Sequence, residues 1–117
     1  MKYNFLIEKV SLSKYFSIEI ITPEHYVLNN FRDTGWTPQK VQSIIDGVHK
    51  SKNNDPEKSF DWGNEDVYMR SNKYGVFFID LMAQRAGRKL DKQDLVLDHP
   101  EFIDFMKDFK KFVEQNS

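Results

Sequence analysis

The closing stretch "DHPEFIDFMKDFKKFVEQN", residues 98–116, constrains the fold more than any other part of the chain. Phe102, Phe105, Met106, Phe109, Phe112 and Val113 recur at the i, i+3, i+4, i+7 spacing of one helix face. A face this rich in rings must be buried, so the rest of the chain has to supply a broad apolar surface for it. The start of the helix is legible as well. Asp98 and Glu101 stand in capping-box spacing, and Leu97 and Phe102 in hydrophobic-staple spacing. Asp104, Lys107, Asp108, Lys110, Lys111 and Glu114 form the opposite, solvated face.

A second helix is expected in "GWTPQKVQSIIDGVHKSK". Thr37 fits the N-cap and Pro38 the first helical position, where a missing N–H costs nothing. Trp36 and Val41 make a second staple, and Val41, Ile44, Ile45 and Val48 make an apolar stripe suited to a sheet. Gly47 weakens the helix by about 1 kcal/mol against Ala, so the helix relies on packing.

Residues 3–9 and 15–21 alternate with period two and are rich in β-branched and aromatic residues, which reads as a hairpin joined through "VSLSK". Pro23 is expected to stop the second strand, and "HYVLNNF" to add an extended piece. Further strands are expected at Phe60–Trp62, 65–72 and 75–82, with "AQRAGRKLDKQD" as a basic loop or short helical turn. The expected fold is α+β. A mostly antiparallel sheet of about five strands carries the two amphipathic helices on one face, as a single domain over residues 1–117.

Composition limits the function. Aromatics are 15% of the chain, with ten Phe, which fits a packed core and not a disordered chain. The formal net charge is −1, without the basic excess of an electrostatic nucleic-acid binder. There is no Cys, so disulfides, thiolate metal sites and a cysteine nucleophile are excluded. Glu8 and Lys9 interrupt the N-terminal apolar residues, and no stretch has the length of a membrane span. The expectation is a soluble cytoplasmic protein with no membrane partner.

No catalytic constellation, metal-ligand spacing or phosphate loop is present, and no cofactor is expected. His25, flanked by Glu24, and the neighbouring Asp98–His99 pair are the nearest approaches to acid–base chemistry. The plainer reading makes His25 a loop residue, His49 a favourable charge at a helix C-terminus, and His99 part of a helix start. Arg85, Arg88 and Lys89 form a basic group with two readings, a contact for a phosphate or acidic partner and, the plainer one, a solvated loop beside Asp91, Lys92 and Asp94.

The feature with most functional content is acidic. Between residues 55 and 66 stand Asp55, Glu57, Asp61, Glu65 and Asp66, against Lys58 alone. If Gly63-Asn64 is a two-residue hairpin loop, Trp62 pairs with Glu65, Asp61 with Asp66, and Phe60 with Val67. Phe60, Trp62, Val67 and Met69 then face the helices, with Asp61, Asp66, Tyr68 and Arg70 opposite. Directly opposed Asp61 and Asp66 would weaken the ladder by tenths to about 1 kcal/mol. Two readings follow: a screened, solvated tip, or a binding surface of Asp55, Glu57, Asp61, Trp62, Glu65, Asp66, Tyr68 and Tyr74 for a basic partner.

"NEDVYMRSN" (64–72), "YGVFFID" (74–80) and "EFIDFMKDFKKFVEQ" (101–115) resemble the second half of the YacL-like small bacterial proteins. The order of elements is similar to that of certain contact-dependent growth inhibition immunity proteins. That resemblance implies a small cytoplasmic protein, not an enzyme, that neutralises a cognate toxin C-terminal domain one to one. The toxin would be a nuclease with a basic cleft, and the acidic and aromatic surface would meet it. The YacL-like resemblance brings no activity with it and allows a regulatory or scaffold protein without a toxin partner.

Overall fold

The computed structural model describes residues 1–33, 35–87 and 94–117. The chain opens with an antiparallel hairpin, β1 (Tyr3–Val10) and β2 (Ser13–Ile20), in the register Tyr3↔Ile20 to Val10↔Ser13. Its connection is tighter than "VSLSK". Ser11 and Leu12 alone make the turn, and Ser11 takes a φ of 58°, the sign that primed hairpin turns require. "HYVLNNF" is not extended. It lies largely within a 3-10 helix over Pro23–Asn30 that buries Val27 and Leu28. Asn29 Oδ1 from this helix accepts the N–H of Ile20 at 2.7 Å, a bond that a folded-back segment can make.

Helix α1 (Pro38–Ser51) starts where the sequence placed it. Thr37 Oγ1 accepts from Lys40 N at 3.1 Å, and Val41, Ile44, Ile45 and Val48 are all buried. Gly47 has a reason beyond propensity. A Cβ there would lie 2.3–2.5 Å from the ring of Phe60. Gly47→Ala is therefore expected to lower the unfolding free energy by about 1–2 kcal/mol in a urea titration, although Ala is the better helix former by about 1 kcal/mol. Stabilisation would mean that the Phe60 ring moves aside without loss.

The second sheet has the strand order β3 (Phe60–Gly63), β4 (Val67–Asn72), β5 (Gly75–Asp80), β6 (Leu95–Leu97), with every pair antiparallel. The α+β class stands, but the strands divide into a two-stranded and a four-stranded sheet instead of a single sheet of about five. The third predicted strand stops at Asp80, whose side chain caps a short helix, α2 (Leu81–Arg85), by accepting from Ala83 N at 3.0 Å. Arg88, Lys89, Asp91 and Lys92 lie outside the described residues.

Helix α3 (His99–Asn116) begins with Asp98 accepting from Glu101 N at 2.8 Å. Its phenylalanines join the two sheets. Phe105 meets Tyr3 edge-on at 4.8 Å between ring centroids, Phe109 meets Phe5 at 5.2 Å, and Phe112 meets Phe16 at 5.8 Å. On the other side Phe102 packs on Phe78 of β5 at 5.5 Å. Val67, Met69, Val76 and Phe78 are fully buried on the helix-covered face of the larger sheet. Tyr3 also donates its hydroxyl to Asp108; burial first, and this bond second, hold the phenol pKa well above its usual value. No helix among the described residues is long and apolar enough to cross a membrane.

Candidate functional site

The hairpin at residues 60–72 does not have the expected register. Phe60 pairs with Ser71, Asp61 with Arg70, Trp62 with Met69, and Gly63 with Tyr68. The chain therefore reverses over residues 64–67, where Asn64 N donates to the Val67 carbonyl at 3.0 Å. Asn64 explains it. Its Oδ1 accepts from the N–H groups of Asp66 (2.7 Å) and Val67 (2.9 Å), while its Nδ2 donates to the carbonyls of Asn30 (2.9 Å) and Arg32 (2.8 Å). A turn centred on Gly63-Asn64 would forgo this fastening of the tip to the 30–32 segment.

The new register removes the like-charge clash. Asp61 lies opposite Arg70 and accepts from its Nε at 2.9 Å. Asp66 is held by Arg85 Nη2 at 3.0 Å, and Asp55 by Lys73 Nζ at 2.7 Å. Bonding to Asp61 raises the pKa of the Arg70 guanidinium, and bonding to Asp55 raises that of Lys73. These pairs are largely solvated and screened, so they add little to stability. Their importance is to charge balance: three of the five acids that made the stretch so negative have cationic partners from elsewhere in the chain. Glu57 and Glu65 are exposed and make no ion pair among the described residues.

The eight predicted site residues consequently fall into different places. Trp62 is not an exposed anchor. Its ring lies 4.2 Å from Phe31 and stacks at 6.0 Å on Trp36, leaving one side in a surface cavity with Glu65 and Asp66. Asp61, Tyr68 and Tyr74 go to the opposite side of the sheet, and Asp55 and Glu57 stay exposed near the start of β3.

The outer face of the four-stranded sheet is a candidate contact surface. One row across it reads Asp61, Arg70, Phe77, Val96, and the next Gly63, Tyr68, Ile79. No described element covers it. Tyr74 at the β4–β5 turn is 65% exposed, Val96 is 49% exposed, and Tyr68, Phe77 and Ile79 are half-buried. Between Pro56, Tyr68, Arg70, Tyr74, Phe77 and Ile79 lies a concavity of about 420 Å³. The Arg70 guanidinium sits 5.9 Å from the Tyr68 ring centroid, and Lys73 Nζ 5.2 Å from that of Tyr74. Burial, then a hydrogen bond with Asp61, raises the Tyr68 pKa, so the phenol stays neutral and can donate.

Sequence reasoning missed Phe77, Ile79 and Val96. A signal for the first two was present. "GVFFID" is apolar without alternation, and in a sheet covered on one side such a run leaves apolar side chains on the other.

The three histidines stand on three different elements. His25 Nε2 lies 3.7 Å from Glu101 Oε1, linking the 3-10 helix to the start of α3, and His99 Nε2 lies 2.7 Å from the Asn72 carbonyl. His49 is exposed near the end of α1. Among the described residues no group of three or more His, Asp or Glu is placed to hold a metal.

Comparison of the chain with family models, with curated proteins and with solved structures finds no match. The functional reading therefore rests on the chain's own residues.

Proposed function

We propose that the protein is an immunity protein, which binds a cognate bacterial toxin domain in the cytoplasm and neutralises it one to one. The contact is the open face of the four-stranded sheet. The observation that carries this reading is that Tyr68, Arg70, Phe77 and Ile79 stand in adjoining rows on a face no described element covers, with Tyr74 at its edge. Tyr and Arg are among the residue types that dominate binding energy when a partner desolvates them, and a hydrogen-bonded ladder presents them already ordered. Asp55, Glu57 and Asp61 form an acidic margin that orients a basic partner, such as a nuclease toxin. With Asp55 and Asp61 ion-paired, packing and not charge supplies most of the affinity.

The test is calorimetry with the C-terminal domain of the toxin encoded immediately upstream. A one-to-one complex is expected, and Tyr68→Ala and Arg70→Ala should each weaken it at least about tenfold, while Glu114→Ala on α3 leaves it unchanged. A complex indifferent to both sheet variants would put the contact elsewhere. No complex would remove the immunity reading.

A further inference from the structure

The β1–β2 hairpin is a sheet with an unused edge. Ile21 N donates back to Lys2 O at 2.8 Å, while Ile20 N points away, to Asn29 Oδ1. Antiparallel pairing alternates residues that bond across the ladder with residues whose N–H and C=O point outward. The outward set on β2 is therefore Lys14, Phe16 and Ile18, along with Ile20, which Asn29 already satisfies. No described strand pairs with that edge. A two-stranded hairpin is marginal by itself, and an open edge is a template for another strand.

The surroundings of the edge favour one kind of strand. A cavity of about 570 Å³ runs beside it, with Arg32 and Asp33 on the far wall. The Ser17 hydroxyl oxygen is buried on the near wall and has no hydrogen-bond partner among the described residues. A second cavity of about 540 Å³ shares Arg32 and Asp33 and continues to Trp62 and Glu65. The groove is acidic. Glu8, Glu19 and Glu65 are exposed and without ion pairs among the described residues, whereas the basic contribution to its lining is Arg32. Asp33 and Asp66 also line it, paired with Lys40 and Arg85.

We infer that the free edge of β2 takes up an extended, basic segment of a partner polypeptide as a third strand. Main-chain bonds to Phe16 and Ile18 would supply the pairing. Period two then sorts the side chains. One set lies on the face of Glu8 and Glu19, where Lys or Arg is favoured, and the other beside Phe16 and Ile18, where apolar residues fit. This site lies apart from the open face of the larger sheet and does not depend on what binds there.

The experiment is amide hydrogen exchange by NMR on the full chain, with a short synthetic peptide of alternating Lys and Val as the probe. The Phe16 and Ile18 amides should slow at least about tenfold at saturation, while Ser17 and Glu19, already in the ladder, stay unchanged. A peptide of alternating Glu and Val should give no protection. The exposed double variant Glu8→Lys/Glu19→Lys should lose protection by the Lys peptide while α1 amides keep their rates, which shows that the fold is intact. Binding without protection of Phe16 and Ile18, equal protection by the acidic peptide or in the double variant, or no binding at all would each overturn the inference.

Discussion

Phe109→Ala is expected to destabilise the protein by about 3–5 kcal/mol, enough to unfold much of a marginally stable domain. Phe109 is fully buried, and its ring lies 5.2 Å from Phe5 of β1 and 5.4 Å, edge-on, from Trp36 at the entrance to α1. It therefore touches both halves of the molecule: the small hairpin sheet and the aromatic stack of Phe31, Trp36 and Trp62 under the larger sheet. Truncation removes the ring's transfer energy and leaves a cavity that neither sheet closes alone, because each is held by other rings. Urea unfolding followed by tryptophan fluorescence reads the effect directly, since Trp36 and Trp62 are the chain's two tryptophans. Phe112→Ala provides the contrast. Phe112 is only partly buried, against Phe5 and Phe16, so a smaller loss confined to the hairpin is expected. Equal losses for the two variants would mean that Phe109 does not join the sheets.

The helices were legible in the sequence because their signals are local. Thr37 and Asp98 cap within three residues of themselves, and the apolar stripes of α1 and α3 are set by helix geometry alone. The strands were less so. "HYVLNNF" has apolar and aromatic residues in strand-like number, but Asn29 gains more from reaching back to Ile20 than an extended segment would. β6 is three residues long and directly precedes the α3 cap, too short for periodicity to show. The split into two sheets follows from α3 presenting rings to both Tyr3–Phe5 and Phe78, a division that a helical stripe does not reveal.

The hairpin at residues 60–72 is the most instructive case. Its pairing was expected as Phe60 to Val67 and is Phe60 to Ser71, a slip of four residues. An even slip leaves every side chain on its own face. Trp62, Val67 and Met69 therefore lie inward as expected, and Asp61, Tyr68 and Arg70 outward. What changed is which charges meet. Asp61 finds Arg70 instead of Asp66, and Asp66 finds Arg85 from nineteen residues away. A linear count of charge could not show that, and the acidic patch that motivated a basic partner is largely balanced in space. The aromatic half of the same surface survives in Tyr68 and Tyr74, and is joined by Phe77, Ile79 and Val96.

Asn64→Ala is expected to cost about 2–4 kcal/mol, far more than a turn residue in an open hairpin would. The side chain makes four hydrogen bonds, two accepted from its own turn and two donated to carbonyls of the 30–32 segment. A net value of about 1 kcal/mol for each, with partners left partly buried, gives that range. Asn64→Asp separates the two pairs. A carboxylate still accepts from the Asp66 and Val67 N–H groups, but it cannot donate, and it directs negative charge at the Asn30 and Arg32 carbonyl oxygens. The turn should keep its register while the tip parts from the 30–32 segment. Near neutral pH, Asn64→Asp should therefore destabilise about as much as Asn64→Ala, and lowering the pH to protonate the new carboxylate should recover part of the loss. Trp62 reports the separation, because its ring leans on Phe31 of that same segment. An Asn64→Asp variant as stable as the parent, with unchanged tryptophan emission, would show that the two donated bonds do not hold the tip in place. Their loss also bears on the two proposed contact surfaces, since the tip lies between the open face at Tyr68 and the acidic groove at Glu65. Detaching it should loosen both surfaces at once, whereas Arg70→Ala should weaken only the first.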